Sequence, residues 1–355
     1  MEVRIVYENM LHNVQEFRKI ITNKTKICAV LKADAYGHGL LQSAHLLYPY
    51  VDYFAVARVT EGLRIRRVAQ KTPVLVLGSC RNHAEEAAAA DLSLSVSTMA
   101  ELRFLEKVAS CTGKRIRVHF KCDTGMNRMG QKTLKTFEKM CRMLKNHPWL
   151  QVEGVYSHFA WVENRDFTER QYQRFLRFVK IAKTYFPNIL CHLCNTGGIL
   201  SSPRYHFDMV RLGLGLYGYL PCQTNHALRL KPCKFVDATV ILKKKVKKGE
   251  KIGYDASYTA PRDMTIGILD VGYGDGFLRQ MSNGGKILTK HGEVAVVGKV
   301  CMDLTMVDLT AKKVSVGSKV NLLGENFKNY CITNDNFQNS RIIIYELLCI
   351  LKQTR

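Results

Sequence analysis

A lysine that closes an apolar run is the first candidate for chemistry in this chain. Lys32 follows Ile27-Cys28-Ala29-Val30-Leu31 and precedes Ala33-Asp34-Ala35-Tyr36-Gly37-His38-Gly39. In water a lysine amine, with a pKa of about 10.4, is protonated and a poor nucleophile. At the dry end of a strand, burial disfavours the charged form and suits the amine to condense with a carbonyl. The glycines behind it let the chain turn tightly. Other polar residues fall at or just past the ends of apolar runs: Tyr36, then Lys121 and Arg128, His158, Asn195 and Thr196, and Arg211 and Gly213. Alone, such a histidine is more often a satisfied core residue, and such an arginine more often a surface charge. Their joint placement singles them out.

The elements that must position them are short apolar runs alternating with helical patterns. Strands are expected at 26–32, 53–57, 73–78, 92–97, 115–122, 151–158, 189–195 and 207–213, with helices between them that include 61–70, 82–90, 99–110, 131–146 and 166–184. Thr98 and Glu101 form a capping-box pattern for the 99–110 helix, and Pro148 follows the 131–146 helix, which it cannot continue. Several of the strands are hydrophobic almost throughout, as parallel strands covered by helices are. Eight such repeats predict a (β/α)8 TIM-like barrel, an α/β fold that carries its chemistry at the C-terminal ends of its strands; a doubly wound sheet is the alternative. After about residue 228 alternating runs such as 235–242 and 265–271, separated by glycine turns, predict a smaller all-β domain. The expected division is 1–228 and 229–355.

Length and composition agree with a globular protein: 355 residues, 46% hydrophobic and 23% charged. No apolar stretch approaches the roughly 20 residues of a membrane span, and the first ten residues lack a secretory h-region, so the expected location is cytoplasmic. The twelve cysteines lack framework spacing and read as buried thiols. Cys191-His192-Leu193-Cys194 resembles half of a zinc site, but no second pair matches it, and no metal is expected. The net charge of +23 is spread along the chain, with its densest cluster at 243–248 between strand-like runs. Without a nucleic-acid-binding motif it reads as solvated surface rather than a nucleic-acid site.

The segment Val30-Leu31-Lys32-Ala33-Asp34-Ala35-Tyr36-Gly37-His38-Gly39 closely resembles the cofactor-attachment motif of alanine racemases, which use pyridoxal 5'-phosphate (PLP). Further segments match that family in order: 121–128, 154–160, 209–213, 253–258, 272–276 and 301–303. The resemblance spans nearly the whole chain. It implies that Lys32 holds PLP as an imine and serves as one acid/base, and that Tyr254 from the partner subunit serves as the other. Racemisation needs such a pair, because the proton leaves one face and returns on the other. The resemblance further implies that Arg211 faces the pyridine nitrogen with His158 beside it. It places the phosphate on Tyr36, Asn195, Thr196, the backbone of Gly213 and Leu214, and Tyr345. Arg128, supported by Lys121, and the backbone of Met302 would bind the substrate carboxylate, and Tyr273 would line the entrance. In several members of the family the lysine equivalent to Lys121 is carbamylated.

The implied function is interconversion of L- and D-alanine by a homodimer with shared active sites, supplying D-alanine for peptidoglycan. Alternatives are another small substrate such as serine, or a barrel-type PLP decarboxylase. A decarboxylase would set an acidic residue against the ring nitrogen, and Arg211 argues against it. A PLP carrier consisting of a barrel alone is opposed by residues 229–355. Two departures from the family stand out. Thr196 occupies a position where serine is common, and keeps the hydroxyl. The chain ends at Arg355, earlier than its relatives, after a stretch at 333–340 more polar than the helix expected there. The short tail is expected to weaken the domain or the dimer without touching the catalytic residues.

Overall fold

A computed structural model of the chain describes residues 1–289, 291–324 and 343–351. The polar stretch 333–340 lies outside them. Two compact units are present: Tyr7–Ala35 with Gly39–Lys231, and Met1–Val6 with Tyr36–His38 and the chain from Pro232 onward.

The first strand, β1 (Glu2–Ile5), belongs to the second of these. The first unit is built on eight parallel strands: β2 (Lys26–Val30), β3 (Tyr53–Val56), β4 (Val74–Val76), β5 (Ser93–Val96), β6 (Ile116–Lys121), β7 (Leu150–Tyr156), β8 (Leu190–His192) and β9 (Met209–Leu212). Seven lie inside their expected ranges, and β7 begins one residue early. Their order is β8-β7-β6-β5-β4-β3-β2-β9. A doubly wound sheet would leave its edges far apart. Here β9 pairs with β2, and the backbone N–H groups of Asp208 and Arg211 donate to the carbonyls of Cys191 and Cys194 at 3.1 Å each. Those two bonds draw β8 to β9 and bring the sheet nearly to closure as a barrel.

The strand residues are buried without alternation in β3, β4, β5 and β9, because helices cover their outer faces. Phe120, Phe137 and Phe178 meet edge to face between β6 and helices 134–144 and 165–185, with centroids 5.3 and 5.0 Å apart. Helix 99–112 opens as its sequence predicts. Thr98 Oγ1 accepts from the Glu101 N–H at 3.1 Å, Glu101 reaches back to the Thr98 N–H, and Gly113 at φ +64° ends it. Helices Glu8–Arg18 and Leu40–Leu47 add to those expected.

Among its described residues the second unit is built on β-strands, joined by short 3-10 turns and followed by the helix 344–350. Its spine is β10 (Lys234–Val246), followed by β11 (Lys251–Ile252), β12 (Tyr258–Thr259), β13 (Met264–Leu269), β14 (Lys286–Thr289), β15 (Gly292–Ala295), β16 (Thr305–Asp308) and β17 (Lys319–Leu323). The main sheet runs β15-β14-β17-β10-β13-β16, with β1 antiparallel to the start of β10. Val246, Ile252, Ala260, Met264, Ile266, Val297 and Met306 form a core under its far end. Lys243, Lys244 and Lys245 of β10 are exposed, so the densest basic cluster is a solvated strand segment. Among the described residues no helix is long and apolar enough to cross a membrane.

Candidate active site

Lys32 stands two residues beyond β2, where the backbone changes hand. Ala33, Asp34, Ala35 and Tyr36 all have φ between 53° and 55°, and Gly37 follows at 73°. The Ala35 N–H donates to Leu31 O at 2.8 Å, which makes the stretch one left-handed turn. Such a conformation costs about 1–2 kcal/mol for each residue with a Cβ, so it persists only where the surroundings dictate it. Here they do. Glu61 Oε1 accepts from the Ala33 N–H at 2.7 Å, and its Oε2 accepts from Ala57 and Arg58 at 2.9 and 3.0 Å. Asp34 Oδ1 accepts from the Leu40 N–H at 3.0 Å, and its carbonyl from the Gly39 N–H. Glu61 thus ties the turn that carries Lys32 to the end of the neighbouring strand.

Lys121 is the last residue of β6 and is buried, with Nζ donating to Leu77 O at 3.3 Å. Burial, and then the charges of Arg128, Arg211 and Lys32, push its amine down to about 8. The loop that follows hangs on Asp123, whose Oδ1 accepts from the N–H groups of Gly125 and Asn127 at 3.0 Å each and so presents Arg128. Gly130 closes it at φ +126°, where a Cβ would lie 2.6 Å from the Asp123 nitrogen.

Arg211, on β9, is buried, and the partners of its guanidinium are all neutral. Nη1 donates to His192 Nδ1 at 2.7 Å, and Nη2 to Ser157 O at 2.7 Å, Leu193 O at 3.0 Å and His158 Nδ1 at 3.2 Å. Burial, followed by the charges of Arg211, Arg128, Lys32 and Lys121, holds His158 well below the usual imidazole range. His158 is therefore neutral, and its Nδ1 accepts. The Tyr156 ring stacks on His192 at 4.7 Å and lies 5.2 Å from the Arg211 guanidinium carbon and 5.6 Å from Lys121 Nζ.

Asn195 and Thr196 open helix 196–201, with Asn195 Oδ1 accepting from the Gly198 N–H at 3.0 Å. Thr196 Oγ1 accepts from the N–H groups of Gly213 and Gly215 at 3.2 Å each. A hydroxyl that accepts twice directs its own proton elsewhere. A Cβ on Gly215 would lie 2.5 Å from the Phe17 ring, so the turn that supplies Leu214 has no room for a side chain there.

The remaining candidates lie in the second unit. Tyr36 is buried, its ring 6.1 Å from that of Tyr345, and burial pushes its phenol up. Lys234 Nζ donates to Gly37 O and Leu348 O at 3.1 and 2.8 Å, tying that stretch to helix 344–350. The N–H groups of Tyr273 and Gly274 donate to the carbonyls of Cys301 and Met302 at 2.9 and 2.8 Å. Tyr254, Tyr273 and Met302 all expose their side chains, Tyr254 to 67%.

The barrel unit therefore brings Lys32, Lys121, Arg128, His158, Asn195, Thr196, Arg211, Gly213 and Leu214 to the C-terminal ends of its strands. Sequence reasoning left out Tyr156, His119, Glu153 and Glu61, and took His192 as part of a zinc-like fragment or as a core histidine. For His119 and Tyr156 the available signal was parity: residues two apart on one strand, such as 119 and 121 or 154 and 156, share the barrel interior. Cys194, the other end of that fragment, is buried with Sγ on Tyr205 O.

The family model of the alanine racemase N-terminal domain matches residues 5–221, and that of the C-terminal domain residues 235–355. Alanine racemase 2 of Caldanaerobacter subterraneus subsp. tengcongensis is 33% identical over 354 residues, covering 98% of this chain and 91% of its own. Alanine racemase of Methanococcus maripaludis is 34% identical over 354 residues, covering 96% and 93%. Among solved structures, alanine racemase of Clostridium difficile 630 superposes with a TM-score of 0.87 at 30% identity, covering 99% of this chain and 93% of that one. Alanine racemase of Bartonella henselae, solved with covalently bound pyridoxal phosphate, gives 0.87 at 25% identity, covering 99% and 97%.

Proposed function

From the premise that this chain belongs to the alanine racemase family, and is thus an isomerase of the PLP-dependent kind, we propose that it interconverts L- and D-alanine by a two-base reaction. The residues present suit that cofactor. Lys32 offers an amine for the cofactor's aldehyde, and Lys121, Arg128 and Arg211 share its end of the barrel, cations suited to an anionic cofactor and a substrate carboxylate. When bound, PLP withdraws electrons from the substrate's α-carbon and makes its hydrogen acidic.

Lys32 holds the cofactor through its amine and moves the proton on one face. Tyr254 moves it on the other, from the partner subunit of a homodimer; its ring is exposed on its own chain, as the side chains of Tyr273 and Met302 are, and an interface would cover such apolar surface. Arg128, with the Met302 backbone, orients the carboxylate, and Tyr273 lines the entrance. The phosphate is held by Tyr36, Asn195, the Thr196 hydroxyl, the Gly213–Leu214 backbone and Tyr345. Because the Gly213 N–H is donated to Thr196, this turn acts on the phosphate through the threonine hydroxyl and Leu214. We take residues 1–228 as the cofactor-binding part and 229–355 as the part that serves the partner's site. D-Alanine for peptidoglycan, made in the cytoplasm, is the role we infer.

The observation that carries this reading is the buried Arg211 with four neutral partners. An arginine donates to the ring nitrogen without giving up its proton, so the ring withdraws electrons less strongly than one facing a carboxylic acid. That restraint suits a reaction whose only change is at one hydrogen, and opposes decarboxylation. The test is deuterium wash-in at Cα, followed from L- and D-alanine separately. Exchange accompanied by inversion from both enantiomers is expected. Release of carbon dioxide, or no exchange, overturns the reading.

Lys121 has a further part. An amine pushed down to about 8 is neutral in a useful fraction near neutral pH, and its lone pair adds to dissolved carbon dioxide with loss of one proton, giving a carbamate. The new negative charge meets Arg128 and Arg211 in place of a third cation. In carbon-13 bicarbonate the protein is expected to show one carbamate signal that Lys121→Ala abolishes; a signal that survives the substitution rules Lys121 out.

A further inference from the structure

Inside the barrel, away from the cationic end, runs a file of side chains, buried His192 and His119 and half-buried Glu153, that the reaction above does not use. An arginine has only donors, so the 2.7 Å contact from Arg211 Nη1 to His192 Nδ1 requires a lone pair on Nδ1. Burial, then the Arg211 charge, holds His192 well below the usual imidazole range, so its one proton sits on Nε2. That proton is donated to His119 Nδ1 at 3.0 Å. The His119 proton is then on Nε2, 3.1 Å from Glu153 Oε2. Glu153 accepts as well from Ser93 Oγ at 2.6 Å and from the Tyr53 hydroxyl. Burial pushes its carboxyl up, but the hydrogen bond and the electrostatic attraction of His119, with the bonds from Ser93 and Tyr53, outweigh burial and leave it at about 2, so the file ends on a carboxylate that only accepts.

Local backbone features serve this arrangement. Val118 pairs with Val152 and His119 with Gly154, so Glu153 is the extra residue of a β-bulge, a device that re-aims a side chain. Gly154 makes room, since a Cβ there would lie 2.2 Å from His119 Nδ1, the atom that accepts from His192.

We propose that Glu153 is a positioning residue for the racemisation: through His119 and His192 it permits one direction of hydrogen bonding, and that direction holds the Arg211 guanidinium on the cofactor's ring nitrogen. The inference rests on the reading that Arg211 meets that nitrogen. With a carboxylate at the end of the file, the opposite direction would set lone pair against lone pair at His119 Nε2 and N–H against N–H at Arg211. A glutamine at 153 lifts the first conflict, because its amide donates as readily as it accepts. The reverse direction is then opposed at Arg211 alone, and where it is populated an N–H on His192 Nδ1 pushes the guanidinium away.

The test is nitrogen-15 NMR of histidine-labelled holoenzyme, with signals assigned through His119→Gln and His192→Gln, together with the kinetics of Glu153→Gln. The natural chain is expected to show both imidazoles with the proton on Nε2 alone. Glu153→Gln is expected to show a His192 population protonated on Nδ1, with kcat lowered about tenfold and KM for alanine changed by less than about twofold. A proton on His192 Nδ1 in the natural chain overturns the proposal, and so does Glu153→Gln with unaltered kcat or with lowered kcat and unaltered tautomers. Failure of borohydride to fix a cofactor on Lys32 would sink the racemase reading instead, and the tautomers would still decide the direction of the file.

Discussion

Alanine in place of Lys32 is expected to lower turnover by about a thousandfold or more, since the substitution removes both the cofactor's anchor and one of the two proton carriers. The purified natural protein is expected to be yellow, and borohydride to leave the cofactor on a peptide containing Lys32. Lys121 sharpens the test, because it too is an amine at this end of the barrel, pushed down to about 8. Peptide mapping after reduction therefore decides between two lysines. An adduct on Lys121, or on none, would remove the basis of the assignment. Stability is a secondary matter here, because Glu61 and Asp34, which the substitution leaves in place, hold the turn beyond Lys32.

The second large effect is expected from Tyr254→Phe. The change deletes one hydroxyl from a ring that is 67% exposed on its own chain, so folding stability should move by no more than about 0.5 kcal/mol. Racemisation should nevertheless fall by about a hundredfold to ten-thousandfold, the usual worth of a positioned acid or base. The variant should keep its colour. Deuterium wash-in should become lopsided: the enantiomer whose α-hydrogen faces Lys32 continues to exchange without inverting, while the other does neither. Unchanged turnover in both directions would end the two-base scheme. Mixing this variant with Lys32→Ala tests the partner's contribution, because a mixed dimer regains one complete site only if each chain lends its tyrosine to the other.

Much of the architecture was legible in the residues themselves. The barrel strands declare themselves because helices on the outside and packing on the inside leave no face for polar residues, as Tyr53–Val56 and Val74–Val76 illustrate. Strand ends were readable for the same reason: a polar residue closing an apolar run, such as Lys121 or Arg211, stands out. Less legible was the barrel interior. His119 and Glu153 sit within strands whose neighbours are apolar, and parity alone misplaces Glu153, since the bulge shifts it onto the face its position denies it. The turn after Lys32 was also hidden, because Ala33 and Ala35 carry no propensity for positive φ and one of the residues that hold it, Glu61, lies far along the chain. Nor does Glu2–Ile5 announce its partner: a short alternating strand pairs wherever an edge is offered, and β10 offers one.

That turn has a stereochemical consequence. Residues 33–36 adopt the mirror image of ordinary helical backbone, so for these positions the handedness of the building blocks is the wrong one. A D-amino acid would sit there free of the clash that costs each L-residue about 1–2 kcal/mol, whereas valine, isoleucine or threonine would aggravate it. The short, unbranched side chains of Ala33, Asp34 and Ala35 are the ones an L-chain can best tolerate in an inverted segment. Substitution in this stretch is thus governed by chirality more than by polarity or size.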